Sequence, residues 1–371
     1  MKYLYISFLT FSLLAFSCRS DQTENNSDLG EILRSVYEQN PDVVGIMARI
    51  EAPEKSISWS GAVGLTDKND TIQILPDQPA LITSNTKTFM AAAFLRLVEQ
   101  GKVSLDSPVD TLLSEGTAKL LTGDGYDLKK IKIKNLLTNT SGISDFVKTK
   151  SYEEKVINDP KYRWTRDEQI KLMIDEGEPP LEPESSFKYS DVNYLLLSEI
   201  LENITGKKFY EAISEQVNFQ KYGLNSTWFY TLEDTPEGLN PLIHQYMNNS
   251  ESYVQDPSFD LYGAGGLAST TKDLGRFTQL FFTGELFANP GTKDLIFTEV
   301  KTNDSVESNY MLGIGKSSIN GLTAFGHTGF WGSYAFYIPE LNASIVVVLS
   351  NNNRSDLIPE IFAGLVKSIT H

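Results

Sequence analysis

Apolar and polar positions are spaced differently in successive parts of the chain, and each change of spacing predicts an element. An apolar run from Tyr3 to Phe16 follows Met1-Lys2 and gives way to Ser17-Cys18. It is short for a bilayer span and ends in small residues, as a secretory signal does. Residues 1–17 are expected to be removed. Cys18, with small Ser17 before it and bulkier Phe16 one place further back, is expected to carry a lipid anchor. The alternative is a conventional cleaved signal with Cys18 incidental. The polar stretch Arg19 to Asp28 reads as a flexible tether, so residues 18–30 are assigned to a tether and 31–371 to the folded domain.

Beyond the tether, Val43 to Ile50 and Ser56 to Val63 are rich in β-branched and apolar residues. Broken by Pro53 and Gly61, they predict an early hairpin. From Thr83 the period changes: Ala91, Ala92, Ala93, Phe94, Leu95, Leu97 and Val98 follow Ser84, and Gly101 ends the run, so Ser84 opens a helix. Residues from about 102 to 260 alternate short helical patterns with Pro-, Gly- and Asn-rich turns and read as an inserted all-helical lobe. Its clearest helix is Asn193 to Thr205, closed by Gly206. Tyr334 to Tyr337 and Ser344 to Leu349 read as strands, and Leu357 to Ile369 has a helical period. The expected fold class is α/β (α+β): an antiparallel sheet assembled from both chain ends, flanked by helices, with the helical lobe between.

Composition narrows the function. The chain has 371 residues, 40% of them hydrophobic, enough for a large core. Its 32 basic and 48 acidic side chains leave a formal charge of -16, which argues against nucleic acid as a partner. Cys18 is the single cysteine and there are three histidines, so no metal is implied.

A Ser followed three residues later by Lys lets an amine reach a hydroxyl on one helix face. The pattern occurs at Ser84-Lys87, Ser185-Lys188 and Ser269-Lys272. Only the first stands where an amphipathic helix begins, and a helix N-terminus favours negative charge on acyl-transfer oxygens. In Phe187-Lys188-Tyr189-Ser190-Asp191, Tyr189 and Asp191 point the same way if the loop is extended. A phenol next to a lysine ammonium has its ionised form favoured, the state of a general base. The competing reading is a capping loop, with Ser190 or Asp191 as the cap. Gly326-His327-Thr328-Gly329 precedes a strand, and small residues there could let an extended substrate lie against a strand edge.

Taken in order, these segments resemble the serine β-lactamase and penicillin-binding-protein family, in its class C β-lactamase, D-Ala-D-Ala carboxypeptidase and esterase branch. The resemblance also includes Leu105-Asp106-Ser107-Pro108-Val109, Leu136-Leu137-Thr138-Asn139-Thr140-Ser141-Gly142, the helix end Glu199 to Gly206, and Gly265-Gly266-Leu267-Ala268-Ser269-Thr270. It implies a β-lactamase/transpeptidase-like fold, Ser84 as the acylated nucleophile, Lys87 as its activating partner and Tyr189 as the proton shuttle. It further implies an oxyanion hole from the backbone N–H groups of Ser84 and Phe330, substrate contacts by His327, Thr328, Gly329 and Asp191, and no cofactor. Three positions depart from the pattern. Asp191 stands where Asn is usual, and a carboxylate there favours a protonated Lys87 and disfavours an anionic ligand. His327 stands where the true lactamases carry Lys. Asn139 replaces a frequent His in a stretch that looks structural. The resulting expectation is an extracytoplasmic serine hydrolase acting on a small ester, amide or D-Ala-type peptide, anchored to a membrane through Cys18. The alternatives are a β-lactamase and a non-catalytic penicillin-binding-like sensor. Tyr262, Tyr310, Phe330 and Trp331 are candidate cleft aromatics.

Overall fold

A computed structural model describes residues 19–248, 250–303 and 309–370, with side chains described from residue 28. Residues 1–17 and Cys18, the expected signal and lipidation site, lie outside the described residues. Among the described residues the strands are β1 (Gly45–Ala52), β2 (Ile57–Gly64), β3 (Ala80–Leu81), β4 (Thr227–Phe229), β5 (Tyr246–Met247), β6 (Ser250–Glu251), β7 (Leu267–Ser269), β8 (Gly315–Ile319), β9 (Leu322–Gly329), β10 (Ser333–Ile338) and β11 (Ala343–Leu349). The helices are α1 (Arg19–Gln39), α2 (Thr86–Glu99), α3 (Glu115–Gly123), α4 (Ile133–Leu137), α5 (Lys150–Asn158), α6 (Arg166–Glu176), α7 (Val192–Thr205), α8 (Phe209–Val217), α9 (Phe219–Tyr222), α10 (Thr271–Thr283), α11 (Thr292–Leu295) and α12 (Ile358–Thr370).

Six strands form one antiparallel sheet in the order β2-β1-β11-β10-β9-β8, so the first and last strands of the chain meet at its centre. Ala-Ser-Ile-Val-Val-Val-Leu in β11 is buried throughout, as expected of a strand covered on both faces. On one face lie α1 and α12. Leu29, Leu33 and Val36 of α1, with Ile361, Phe362, Leu365 and Ile369 of α12, close over Ile46, Ile50, Ile345 and Val347. The other face carries α10 and α2, held together by the stacked rings of Phe89 and Phe277, 3.5 Å apart at their centroids. The remaining helices surround α2 and continue its core.

Three boundaries differ from the sequence reading. Arg19 to Asp28, expected as a tether, continues α1 as helical backbone, and Leu29 is already 1% exposed, so the core begins inside the segment assigned to the tether. Gly61 does not break β2: it pairs with Ala48, and a Cβ there would fall 2.4 Å from the Trp59 ring, which needs the space. The inserted lobe is not all-helical. Its β4 joins β3 and β7 in a small sheet of order β3-β7-β4, and β5 pairs with β6; strands of two or three residues are too short to show a period.

Candidate active site

Ser84 lies in a 3-10 turn, Thr83–Asn85, that leads directly into α2. Thr83 before it has φ 42°, a left-handed conformation that costs a β-branched residue about 1–3 kcal/mol and is kept only where the surroundings enforce it. Here they do. Asn85 Nδ2 donates to Ser333 Oγ at 2.8 Å, and Ser333 Oγ donates to the Ile82 carbonyl at 2.9 Å, tying the turn to β10. The end of β9 lies against the same turn: a Cβ on Gly329 would meet Thr83 Oγ1 at 2.3 Å and the Ile82 carbonyl at 2.5 Å. Because β8 pairs with β9 only as far as Gly326, the segment His327–Gly329 runs past β8 toward the cavity, with Thr328 exposed.

In the first turn of α2, Lys87 is fully buried. Its Nζ donates to Ser84 Oγ at 3.0 Å and to the Ala264 carbonyl at 2.7 Å, and pairs with Asp191 Oδ1 at 2.8 Å. Two hydrogen bonds and a close carboxylate suit an ammonium. Burial alone would drive the proton off, but Asp191, Asp260 and Tyr310 outweigh it and hold the lysine above its ordinary range.

Tyr189, Ser190 and Asp191 are positioned from below. Asn139, with φ 56°, accepts from Ser190 N–H at 3.1 Å and from Asn193 Nδ2 at 2.9 Å, while Ser190 Oγ donates to the Ser144 carbonyl at 2.8 Å. Asp191 is the N-cap of α7 without capping it through its side chain, which turns to Lys87 instead. Of the two capping candidates weighed from sequence, Asp191 thus takes the N-cap position, but its side chain does not cap the helix. Tyr189 does not fit the expected phenolate either. Burial and the Asp191 charge push its hydroxyl well above the ordinary range, and a hydrogen bond with Ser84 offsets this only in part, so it is a neutral phenol.

His327 is buried and neutral: lost hydration and the nearby Lys87 charge bring it down to about 3. Its Nε2 meets Tyr310 Oη at 3.0 Å.

Ser84, Tyr189, Asp191, His327, Thr328, Gly329 and Phe330 all border one cavity of about 600 Å³, and Lys87 sits behind Ser84. Of the candidate aromatics, Phe330 and Trp331 line it. Tyr310 stands behind His327, and Tyr262 is turned away to the Trp164 carbonyl. The other two Ser-Lys pairs are elsewhere engaged, Lys188 with Glu178 and Ser269 with Thr227. Among the cavity residues that sequence reasoning missed are Asp145 and Asp260. Each follows or precedes a family-like segment by a few residues, but a single acid in a turn carries no periodic signal.

A family model described as Beta-lactamase matches residues 42–362. The teichoic acid D-alanine hydrolase of Staphylococcus aureus is 25% identical over 319 residues, covering 84% of this chain and 72% of that protein. A penicillin-binding protein of Bacillus subtilis is 25% identical over 273 residues, covering 68% of this chain and 56% of the other. The chain thus spans little more than half the length of the first curated relatives it matches. Among solved structures, the D-amino acid amidase of Ochrobactrum anthropi SV3 in complex with D-phenylalanine superposes with a TM-score of 0.77 at 20% identity, covering 94% of this chain and 99% of the other, a likeness of fold.

Proposed function

Because this chain belongs to the beta-lactamase family, we propose that it is a serine hydrolase that passes an acyl group through Ser84 and acts on small amides or esters of the D-amino-acyl class. The observation that carries this reading is the 3.0 Å approach of Lys87 Nζ to Ser84 Oγ at the floor of an open cavity. The names of the teichoic acid D-alanine hydrolase and the D-amino acid amidase support the substrate class.

The proton inventory fits two-step acyl transfer. Lys87 enters as an ammonium and reacts as the amine left when it gives up a proton to solvent. Ser84 Oγ then attacks the carbonyl carbon while its proton moves to Lys87. The oxyanion is met by the backbone N–H groups of Ser84 and Phe330. As the tetrahedral adduct collapses, neutral Tyr189 gives its phenolic proton to the leaving nitrogen or oxygen, and the phenolate is held beside the re-formed Lys87 ammonium. In the second half it takes a proton from water, whose oxygen attacks the acyl group, and Ser84 recovers its proton from Lys87. The carboxylates around Lys87 and the neutral His327 work against anionic ligands such as β-lactams.

A panel of a D-amino acid amide, a D-alanyl ester and nitrocefin tests the substrate class. The first two should be turned over faster than nitrocefin, and Ser84→Ala should lose on the order of 10⁴-fold in turnover; nitrocefin hydrolysis outpacing both would overturn the ranking. The run Tyr3 to Phe16 before Ser17-Cys18 further supports secretion and anchoring through a lipid on Cys18. Membrane fractionation checks it: wild type should sediment with membranes and Cys18→Ser should not.

A further inference from the structure

His327 has one ring proton to place on two nitrogens, and each placement gives β9 a different end. Its Nδ1 lies 2.8 Å from the Thr328 carbonyl oxygen and 2.9 Å from the Thr328 backbone nitrogen. Only one of these contacts is a hydrogen bond at a time. A protonated Nδ1 donates to the carbonyl and leaves the N–H; an unprotonated Nδ1 accepts the N–H and leaves the carbonyl. The choice persists at neutral pH, because burial and the Lys87 charge keep the ring uncharged. It also falls where a substrate would meet it. Thr328 is exposed on the cavity wall, past the last pairing of β9 with β8 at Gly326.

The group that decides the tautomer stands behind the ring. His327 Nε2 meets Tyr310 Oη at 3.0 Å, and Tyr310 is hydrogen-bonded in turn to Tyr194. All three rings are buried. Tyr194 Oη donates to the Leu137 carbonyl at 2.9 Å. A carbonyl only accepts, so this last bond fixes the direction of the whole chain. Tyr194 has spent its one proton on Leu137 and accepts from Tyr310; Tyr310 has spent its own on Tyr194 and accepts from His327. The imidazole proton therefore sits on Nε2, and Nδ1 keeps a lone pair for the Thr328 N–H. Burial raises both phenols above their ordinary range, so neither reverses the order by ionising. The anchor is firmly placed. The Leu137 carbonyl also accepts from Gly313 N–H at 3.1 Å, in the loop that carries Tyr310, and a Cβ on Gly313 would fall 2.6 Å from the Lys87 carbonyl oxygen.

We propose that Tyr194 and Tyr310 are positioning residues that hold His327 as its Nε2–H tautomer, so that the ring takes the Thr328 N–H and leaves the Thr328 carbonyl to accept from an N–H group of the substrate. The helical lobe, through α7, thereby sets the hydrogen-bonding character of the strand end beside Ser84. This assignment rests on the acyl-Ser84 reading above.

Histidine-selective ¹⁵N NMR reads the tautomer without turnover. The chain has three histidines, and His327→Asn identifies the His327 signals by their loss. In wild type at neutral pH the proton should be on Nε2 and absent from Nδ1. Tyr194→Phe keeps the Tyr310 hydroxyl beside the ring but removes its acceptor, so Tyr310 turns its proton to Nε2 and the imidazole proton should move to Nδ1. Tyr310→Phe should move it likewise, with near-UV circular dichroism confirming the fold of both. In Tyr194→Phe, kcat/KM for a D-amino acid amide should then fall about tenfold, through KM. Labelling of Ser84 by a fluorophosphonate, which offers no N–H, should slow far less. Failure of Ser84 to acylate would remove the kinetic arm and leave the NMR result standing. A wild-type proton on Nδ1, or a tautomer unmoved in both variants, would overturn the relay; a moved tautomer with unchanged amide turnover would overturn the role of the Thr328 carbonyl.

Discussion

At the scale of single residues, the site is governed by a contest over the Lys87 proton. Burial works against the ammonium, and the charges of Asp191 and Asp260 win. In the proton path above the reacting group is the Lys87 amine, and Asp191 is the largest of the charges that oppose it. With Asp191→Asn burial has less to overcome, and the lysine gives up its proton at lower pH. Acylation of Ser84 at neutral pH should therefore quicken by about tenfold, and its rise with pH should move downward. Stopped-flow acylation rates from pH 6 to 10 check this. An unchanged or slower profile would show that Asp191 does not hold the Lys87 proton. The site's residues were unequally legible from sequence. Ser84, Lys87, Tyr189 and His327 stand in short ordered segments, whereas Asp145 and Asp260 sit in irregular turns, and only the folded chain brings them to Ser84. The ionisation of Tyr189 differs from the expectation because, although Lys87 Nζ lies 5.0 Å from its ring centroid, burial and the charges of Asp191, Asp260 and Asp145 outweigh that cation.

At the scale of elements, legibility follows burial. The central strands β1 and β11 and the helices α2, α7 and α12 were visible within a residue or two, because each buries a regular face and regular burial imposes a period. β8 was not. Its Lys316, Ser317 and Ser318 are exposed on the edge of the sheet, so nothing selects apolar residues there. The same edge matters for the chemistry. β9 outruns β8 at Gly326, and the three residues beyond it are the ones brought against the Ser84 turn. A short outer strand thus gives the inner one an open end, a device that no pattern within β9 itself announces. The tether was misjudged for a related reason: Arg19 to Asp28 is polar, but α1 need bury only the face that begins at Leu29, and helical hydrogen bonding carries the backbone beyond it.

At the scale of the whole molecule, the buried acids set a pH dependence of stability with a definite sign. Asp145 and Asp260 rise from 3.8 to about 7 and about 8, so between those limits the folded chain keeps protons that the unfolded chain releases, and stability falls as pH rises. His327 acts oppositely: lowered from 6.5 to about 3, it favours the folded state above 6.5 and loses that contribution as pH falls. From about pH 6.5 to 8.5 the carboxyls therefore act without this opposition, and the melting temperature should decline across that window. Asp260→Asn should flatten the decline and melt above wild type at pH 8.5; parallel curves would show that Asp260 does not hold its proton in the fold. The central claim is that the whole assembly of sheet edge, helix start and lobe makes Ser84 a nucleophile. Its most direct test is the mass of the intact protein after incubation with a fluorophosphonate, followed by peptide mapping. A single adduct on Ser84, absent from Ser84→Ala, is the result this account predicts; a folded wild type that takes no label, or carries it on another serine, would contradict it.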